Sequence, residues 1–424
     1  MQEQKIRSRM NRPLAEAVIA TFRESPPEIC YDRLAAFDAR AWTECYGWLD
    51  AGGLAIYFLD RVRLLGLEAA IPDHVLYRFQ KNAADNQKRT DFLREKFIAL
   101  NRAFQAENLS YANLKGFSLV PDACSDLALR CQFDLDFFIN CGDVAHCDQI
   151  LKRHDYVLTG IGRGVREYKA GSHEIPRMSD LYKAKSQTSV EIHFADSQEE
   201  NRTFLRGDCL SRLRVRQWNE FQFPVLSDCD RFLSLAVHLF KHLKSEWTRA
   251  SWALEYARFV DFHCNDEVLW LEVERQISKD PETRIAVGAA TLFADQSFRI
   301  ACLPVVLASA ILELPRSVDL WVRLYGNAVL FALFPGTKFY LLLQRAISRE
   351  EGRQFHNHRQ KLLPLHLPSK ITVGSNEKDF LSRWKRFRIE SNFLLFRLRF
   401  HVLQGISYMI EAPRWKRSVA SLHG

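Results

Sequence analysis

Residues 130–139 read Arg-Cys-Gln-Phe-Asp-Leu-Asp-Phe-Phe-Ile, and this alternation of acids with apolar residues constrains the fold more than any other feature. Taken as a β-strand, it puts Phe133, Leu135, Phe137 and Ile139 on one face, with Asp134 and Asp136 together on the other. Two carboxylates held side by side repel each other, so positive charge is expected against that face. The leading candidate is a pair of divalent metals, which in two-metal sites lie about 3.5–4 Å apart between shared carboxylates.

Two neighbouring segments strengthen that reading. Upstream, Tyr111-Ala-Asn-Leu-Lys-Gly-Phe-Ser118 places Lys115 and Gly116 after an apolar residue. A glycine opening a helical turn lets backbone N–H groups approach a phosphate, and a lysine beside it adds a point charge. Downstream, Thr188-Ser-Val-Glu-Ile-His-Phe194 alternates again, with Glu191 and His193 opposite Val190, Ile192 and Phe194. Three acids on two strands, with a phosphate-cradling turn behind them, make a coherent metal–nucleotide site.

Lys115-Gly116, Arg130 with Asp134-Leu-Asp136, and Val190-Glu-Ile-His193 resemble, in order and spacing, the poorly characterised bacterial nucleotidyltransferases of the polymerase-beta-like superfamily. The resemblance extends over residues ~40–265. There, Leu235-Ala-Val-His238 and Trp252-Ala-Leu-Glu-Tyr256 are similar to the family's later helical histidine and acid positions. It implies that Asp134, Asp136 and Glu191 hold Mg²⁺ or Mn²⁺ and carry catalysis. Lys115, Gly116 and Ser118 would grip the triphosphate, with Arg130 and His193 as supporting residues. The implied reaction moves an NMP from an NTP to an acceptor hydroxyl and releases pyrophosphate. The acceptor is left open among a small molecule, a saccharide, a protein and RNA. Two departures stand out: Lys115 fills a turn position that is glycine in the wider superfamily, and Phe133 stands where glycine is common. The Phe133 ring either narrows the pocket or packs under the strand. Its presence keeps open a second class of reading, a nucleotide-binding but catalytically silent regulatory module. An RNA-directed transferase is a third.

Composition narrows the setting. The 424 residues are 47% hydrophobic and carry a net charge of +8, enough for several buried cores and a weak preference for anionic partners. None of the ten cysteines forms a Cys-x-x-Cys pair, so reduced, mostly buried thiols are expected. The first nine residues are polar and charged, unlike a secretory signal, and no nucleophile-elbow motif appears. The most apolar segments, Ala301–Leu312 and Ala328–Phe334, fall short of the ~20 residues of a spanning helix. The expectation is a soluble, cytoplasmic protein.

The expected architecture is α+β, a small mixed-sheet core flanked by N-terminal and C-terminal helical segments. Its parts are a flexible arm (1–30), a helical region (31–107), the nucleotidyltransferase core (108–200) and a helical domain (201–350). A linker (351–379) and basic C-terminal helices (380–424) follow. Within the core, strands are expected at 110–114, 133–139, 156–159 and 167–169, with helices from Ser118 and after Gly142. The glycine-rich run Gly160-Ile-Gly-Arg-Gly164 lacks a following helix signature and reads as a hairpin loop. His238 and His242 lie one helical turn apart without a Glu-x-x-His frame, so packing or hydrogen bonding is preferred over metal binding. The arginine-rich, apolar helix from Phe380 could contact an anionic surface, whether nucleic acid or membrane. The plainer reading is a closing helix whose arginines reach outward.

Overall fold

Helix formation at the N-terminus begins where the sequence supplies a cap. In a computed structural model describing residues 10–23, 27–162, 164–171, 180–184, 187–195, 207–350, 362 and 380–422, Asn11 accepts a hydrogen bond from the Leu14 N–H. That cap, with Pro13 in the first turn, starts α1 (Arg12–Phe22). Leu14, Ala15 and Val18 of α1 are fully buried. The expected flexible arm is therefore a docked helix over these residues, because its alternating small and aliphatic residues supply an apolar face. Helices α2 (Pro27–Ala35), α3 (Ala39–Ala51) and α4 (Ala55–Leu64) follow, then the long α5 (Asp73–Ala106).

The fold is α+β. α5 buries Leu93, Phe97, Leu100 and Phe104 against one face of a seven-stranded mixed sheet. Complete burial of a phenylalanine such as Phe104 contributes about 2–3 kcal/mol. The first strands are β1 (Tyr111–Leu114) and β2 (Asp134–Ile139), followed by α6 (Val144–Arg153). Then come β3 (Val157–Gly162), β4 (Val165–Ala170), β5 (Thr188–Phe194), β6 (Arg214–Trp218) and β7 (Phe221–Val225). The sheet order is β3-β4-β5-β2-β1-β7-β6, with parallel pairing at β2–β5 and β1–β7. The glycine-rich run falls in the β3–β4 hairpin, where Gly162 pairs with Val165.

Two expectations change here. Ser118 opens no α-helix; residues 116–119 form a single 3₁₀ turn. The β6–β7 hairpin lies in a region expected to be helical, with Asn219 taking φ +52° in its turn. Helices then take over with α7 (Asp228–Leu243), α8 (Ala250–Phe262), α9 (Glu267–Ile277), α10 (Pro281–Phe298) and α11 (Val305–Leu312). The last are α12 (Arg316–Leu330), α13 (Tyr340–Glu350) and α14 (Phe380–Ala420). The expected linker at 351–379 lies outside the described residues, apart from Leu362.

The chain divides into two compact units, residues 1–240 with 249–313, and residues 241–248 with 314–424. The first holds the whole sheet. In the second, Trp321 is buried and donates its indole N–H to the Phe339 carbonyl at 2.9 Å. All ten cysteines are free, and no described helix is long and apolar enough to cross a membrane.

Candidate active site

Register brings the acids together. In the parallel β2–β5 pair, Asp134 lies beside Ser189, Asp136 beside Glu191, and Phe138 beside His193. Leu135, Phe137, Val190 and Ile192 join the core under α5, which leaves the acids and His193 on the opposite face. Asp136 Oδ1 accepts hydrogen bonds from Lys115 Nζ at 2.8 Å and His193 Nε2 at 3.0 Å. His193 Nε2 also lies 3.4 Å from Glu191 Oε2. One ligand atom each from Asp136, Glu191 and His193 falls within a 4.8 Å sphere of mutual distances, a grouping able to hold a metal ion.

The two aspartates differ in electrostatic state. Burial pushes the Asp136 carboxyl up, but Lys115 and His193 outweigh it and hold the group far below the usual carboxylate range. For Asp134, burial and then the neighbouring Asp136 charge raise it to about 6. Its carboxylate makes no hydrogen bond or ion pair among the described residues, which leaves it available to a cation. Burial opposes the charge on Lys115, yet Asp136, Asp134 and Glu191 together raise its pKa above the ordinary value. His193 follows the same pattern, lowered by burial but raised overall by Asp136 and Glu191.

The turn after β1 is strained. Lys115 adopts φ +45° and ψ −155°, and Gly116 follows at φ +38°. Such backbone is costly for a residue with a Cβ, and it aims the Lys115 side chain at Asp136. A Cβ on Gly116 would clash with the Gln132 side-chain amide, whose Nε2 donates to the Asp134 carbonyl at 2.6 Å. Gly116 thus lets the turn close onto the start of β2. Ser118 is buried, and its hydroxyl donates to the Lys115 carbonyl at 2.8 Å. It fixes the turn and is committed there.

Arg130 bonds to Glu255 rather than to either aspartate. Its Nε donates to Glu255 Oε1 at 3.1 Å, and the Tyr57 hydroxyl donates to the same oxygen at 3.1 Å. α4, α8 and the approach to β2 are joined through this buried carboxylate. A cleft beside the turn is lined by Lys115, Ser118, Arg130, Arg231, His238 and Glu255. His238 stands edge-on to Trp252, ring centroids 4.8 Å apart. Of the two roles open to Phe133 in the sequence, packing under the strand is not the one taken, for it lies outside the core. The residue is 37% exposed, with the Arg89 guanidinium 4.4 Å and that of Arg249 5.8 Å from its ring centroid.

Arg89, Arg249, Gln132 and Tyr57 had no local signal in the sequence, since each meets the site through a tertiary contact. Glu255 did leave one, as an acid amid the apolar run Trp252 to Ala257. A second acidic group, Asp122, Asp228 and His263, is also able to hold a metal by geometry. Its carboxylates are already bound by guanidinium groups, Asp122 by Arg216 and Arg231 at 2.5 Å each and Asp228 by Arg214 at 2.6 Å. Those cations occupy the charge that a metal would need.

The sequence profile of a family described as uncharacterised nucleotidyltransferase matches residues 38–299, more than half of the chain. No curated protein matches. Among solved structures, an antigenic nucleotidyltransferase-like protein from Paracoccidioides brasiliensis aligns at 15% identity and a TM-score of 0.30. That alignment spans 46% of this chain and 92% of the other, and is too loose to carry an argument.

Proposed function

The chain belongs to the uncharacterised nucleotidyltransferase family, and from that premise we propose that it transfers an NMP from a nucleoside triphosphate to an acceptor hydroxyl. The observation that carries this reading is the parallel β2–β5 pair, which sets Asp136 beside Glu191 within reach of Lys115. The strained turn before an acid-bearing strand also supports a place in the polymerase-beta-like superfamily.

Asp136 and Glu191 would hold Mg²⁺ or Mn²⁺, with His193 Nε2 in range as a further donor; Asp134 lies outside that grouping and would join it as the family resemblance implies. Carboxylate oxygens suit these hard cations, and the Asp134 carboxylate, bound to no described side chain, is available to such a partner. A bound metal would neutralise triphosphate charge and polarise the reacting phosphate. Lys115 already faces the acids and would share its charge with the β and γ phosphates. Gly116 would let the turn backbone approach them, while Ser118 holds the turn's shape and Arg130 steadies the approach to β2 through Glu255. Glu191 is the partly exposed acid suited to take the acceptor proton. The acceptor oxygen bonds to the α-phosphorus, the bond to the β-phosphate bridging oxygen breaks, and pyrophosphate leaves.

Calorimetric titration of each NTP with Mg²⁺ tests the reading, using wild type and the Asp134→Ala/Asp136→Ala double variant. Metal-dependent binding that disappears in the variant is expected. Equal binding by both proteins would place the nucleotide elsewhere. Binding without pyrophosphate release, even with cell extract as acceptor source, would favour the silent regulatory module.

A further inference from the structure

Nearly all of the chain's excess positive charge lies in its last helix. α14 contains nine Lys and Arg against Glu390 and Glu411, a net +7, while the whole chain carries +8. One side of this helix is committed to its own unit. Phe400, His401, Tyr408 and Trp415 are buried, with Trp415 5.9 Å from the Tyr325 ring and Arg397 bonded to Glu246 at 3.0 Å. Glu411 turns to the same side, 3.4 Å from the Tyr325 hydroxyl.

The opposite side is a different surface. Leu395, Leu398, Val402, Ile406 and Met409 recur at helical spacing, and all are exposed, Leu395 at 63% and Met409 at 62%. Leu403 and Ile410 widen this stripe, which runs for roughly 20 Å at 1.5 Å per residue. Arg399 sits within it, Arg388 precedes it, and Arg414, Lys416 and Arg417 follow it, all exposed. An aliphatic stripe with cations at both ends suits a helix lying in a bilayer surface, its apolar side chains in the acyl boundary and its cations among headgroup phosphates.

We propose that α14 docks the chain onto an anionic bilayer surface. Charge complementarity selects this occupant. A second copy paired along the stripe would oppose Arg399 to Arg399 if parallel, or Arg388 to the C-terminal cations if antiparallel. Nucleic acid would satisfy the cations through its phosphates but leave the aliphatic stripe in water. Spanning is not involved, since no described helix is long and apolar enough.

The test is cosedimentation of the full chain with phosphatidylcholine vesicles, with or without an equal share of phosphatidylserine. Three proteins are compared: wild type, Val402→Ser/Ile406→Ser and Arg399→Gln/Lys416→Gln. All four side chains are exposed, so unchanged melting curves should verify that the variants fold. Wild type should bind the mixed vesicles and largely ignore phosphatidylcholine alone. The serine variant should lose most of that binding, and each neutralised cation should weaken it about fivefold. Absence of binding to mixed vesicles would overturn the proposal, as would full binding by the serine variant. Two other outcomes would replace it: salt-sensitive RNA binding without vesicle binding, or dimerisation abolished by the serine pair without vesicle binding.

Discussion

Asp134 and Asp136 are separated by one residue yet should respond oppositely to neutralisation. Asp134 has its folded value raised to about 6, above the unfolded carboxylate value. The folded state therefore holds more protons than the unfolded chain between those values, and this group costs stability as pH rises through them. Asp134→Asn should stabilise the metal-free protein at pH 7 by roughly 1–2 kcal/mol while removing metal-dependent nucleotide binding. Asp136→Asn takes the anion from Lys115 and His193 and should cost about 3 kcal/mol. Paired thermal melts without metal read both signs, and a stabilised Asp136→Asn protein would contradict the electrostatic account. Gly116→Ala meets both a left-handed backbone and the Gln132 side chain, so a loss of about 1–3 kcal/mol is expected in the same melts.

At the scale of elements, Glu255 joins α8 to α4 and to the approach of β2. Glu255→Ala strands the Arg130 guanidinium in a buried position, and a loss of about 3–5 kcal/mol should appear as a lower urea midpoint. In the other unit, burial and then the Lys338 and Arg397 charges lower His401 to about 4. A histidine depressed in the folded state contributes stability present above its unfolded value near 6.5, and lost as pH falls towards the folded one. His401→Leu should flatten the pH dependence of that unit's unfolding midpoint between these values. How much could be read beforehand follows from the range of each signal. β2 and β5 were legible because alternation is local and shows within each strand's own residues. The Lys115–Gly116 turn was legible for the same reason. β6 carries no such signal because Arg214, Arg216 and Gln217 mask its period and Val215 points to solvent. The Arg130–Glu255 bond was beyond reach because its partners stand 125 residues apart.

Over the whole molecule, charge is unevenly divided. Lys and Arg exceed acids by eight in the chain and by seven within α14, which leaves the remainder at +1. The basic composition therefore describes one helix and says little about the acid-lined site. Around that site the positive charge is specific: Lys115 and His193 on Asp136, Arg130 on Glu255, and two guanidiniums on Phe133. Nucleotide binding should accordingly depend far more on Lys115→Ala than on bulk salt. The most direct test of the central claim follows NTP labelled on the α-phosphate or on the γ-phosphate, with Mg²⁺ and a cell extract as acceptor source. Wild type should move the α label to an acceptor and release the γ label as pyrophosphate, and Glu191→Gln should do neither. Transfer of the γ label instead, or α transfer undiminished in Glu191→Gln, would contradict the account.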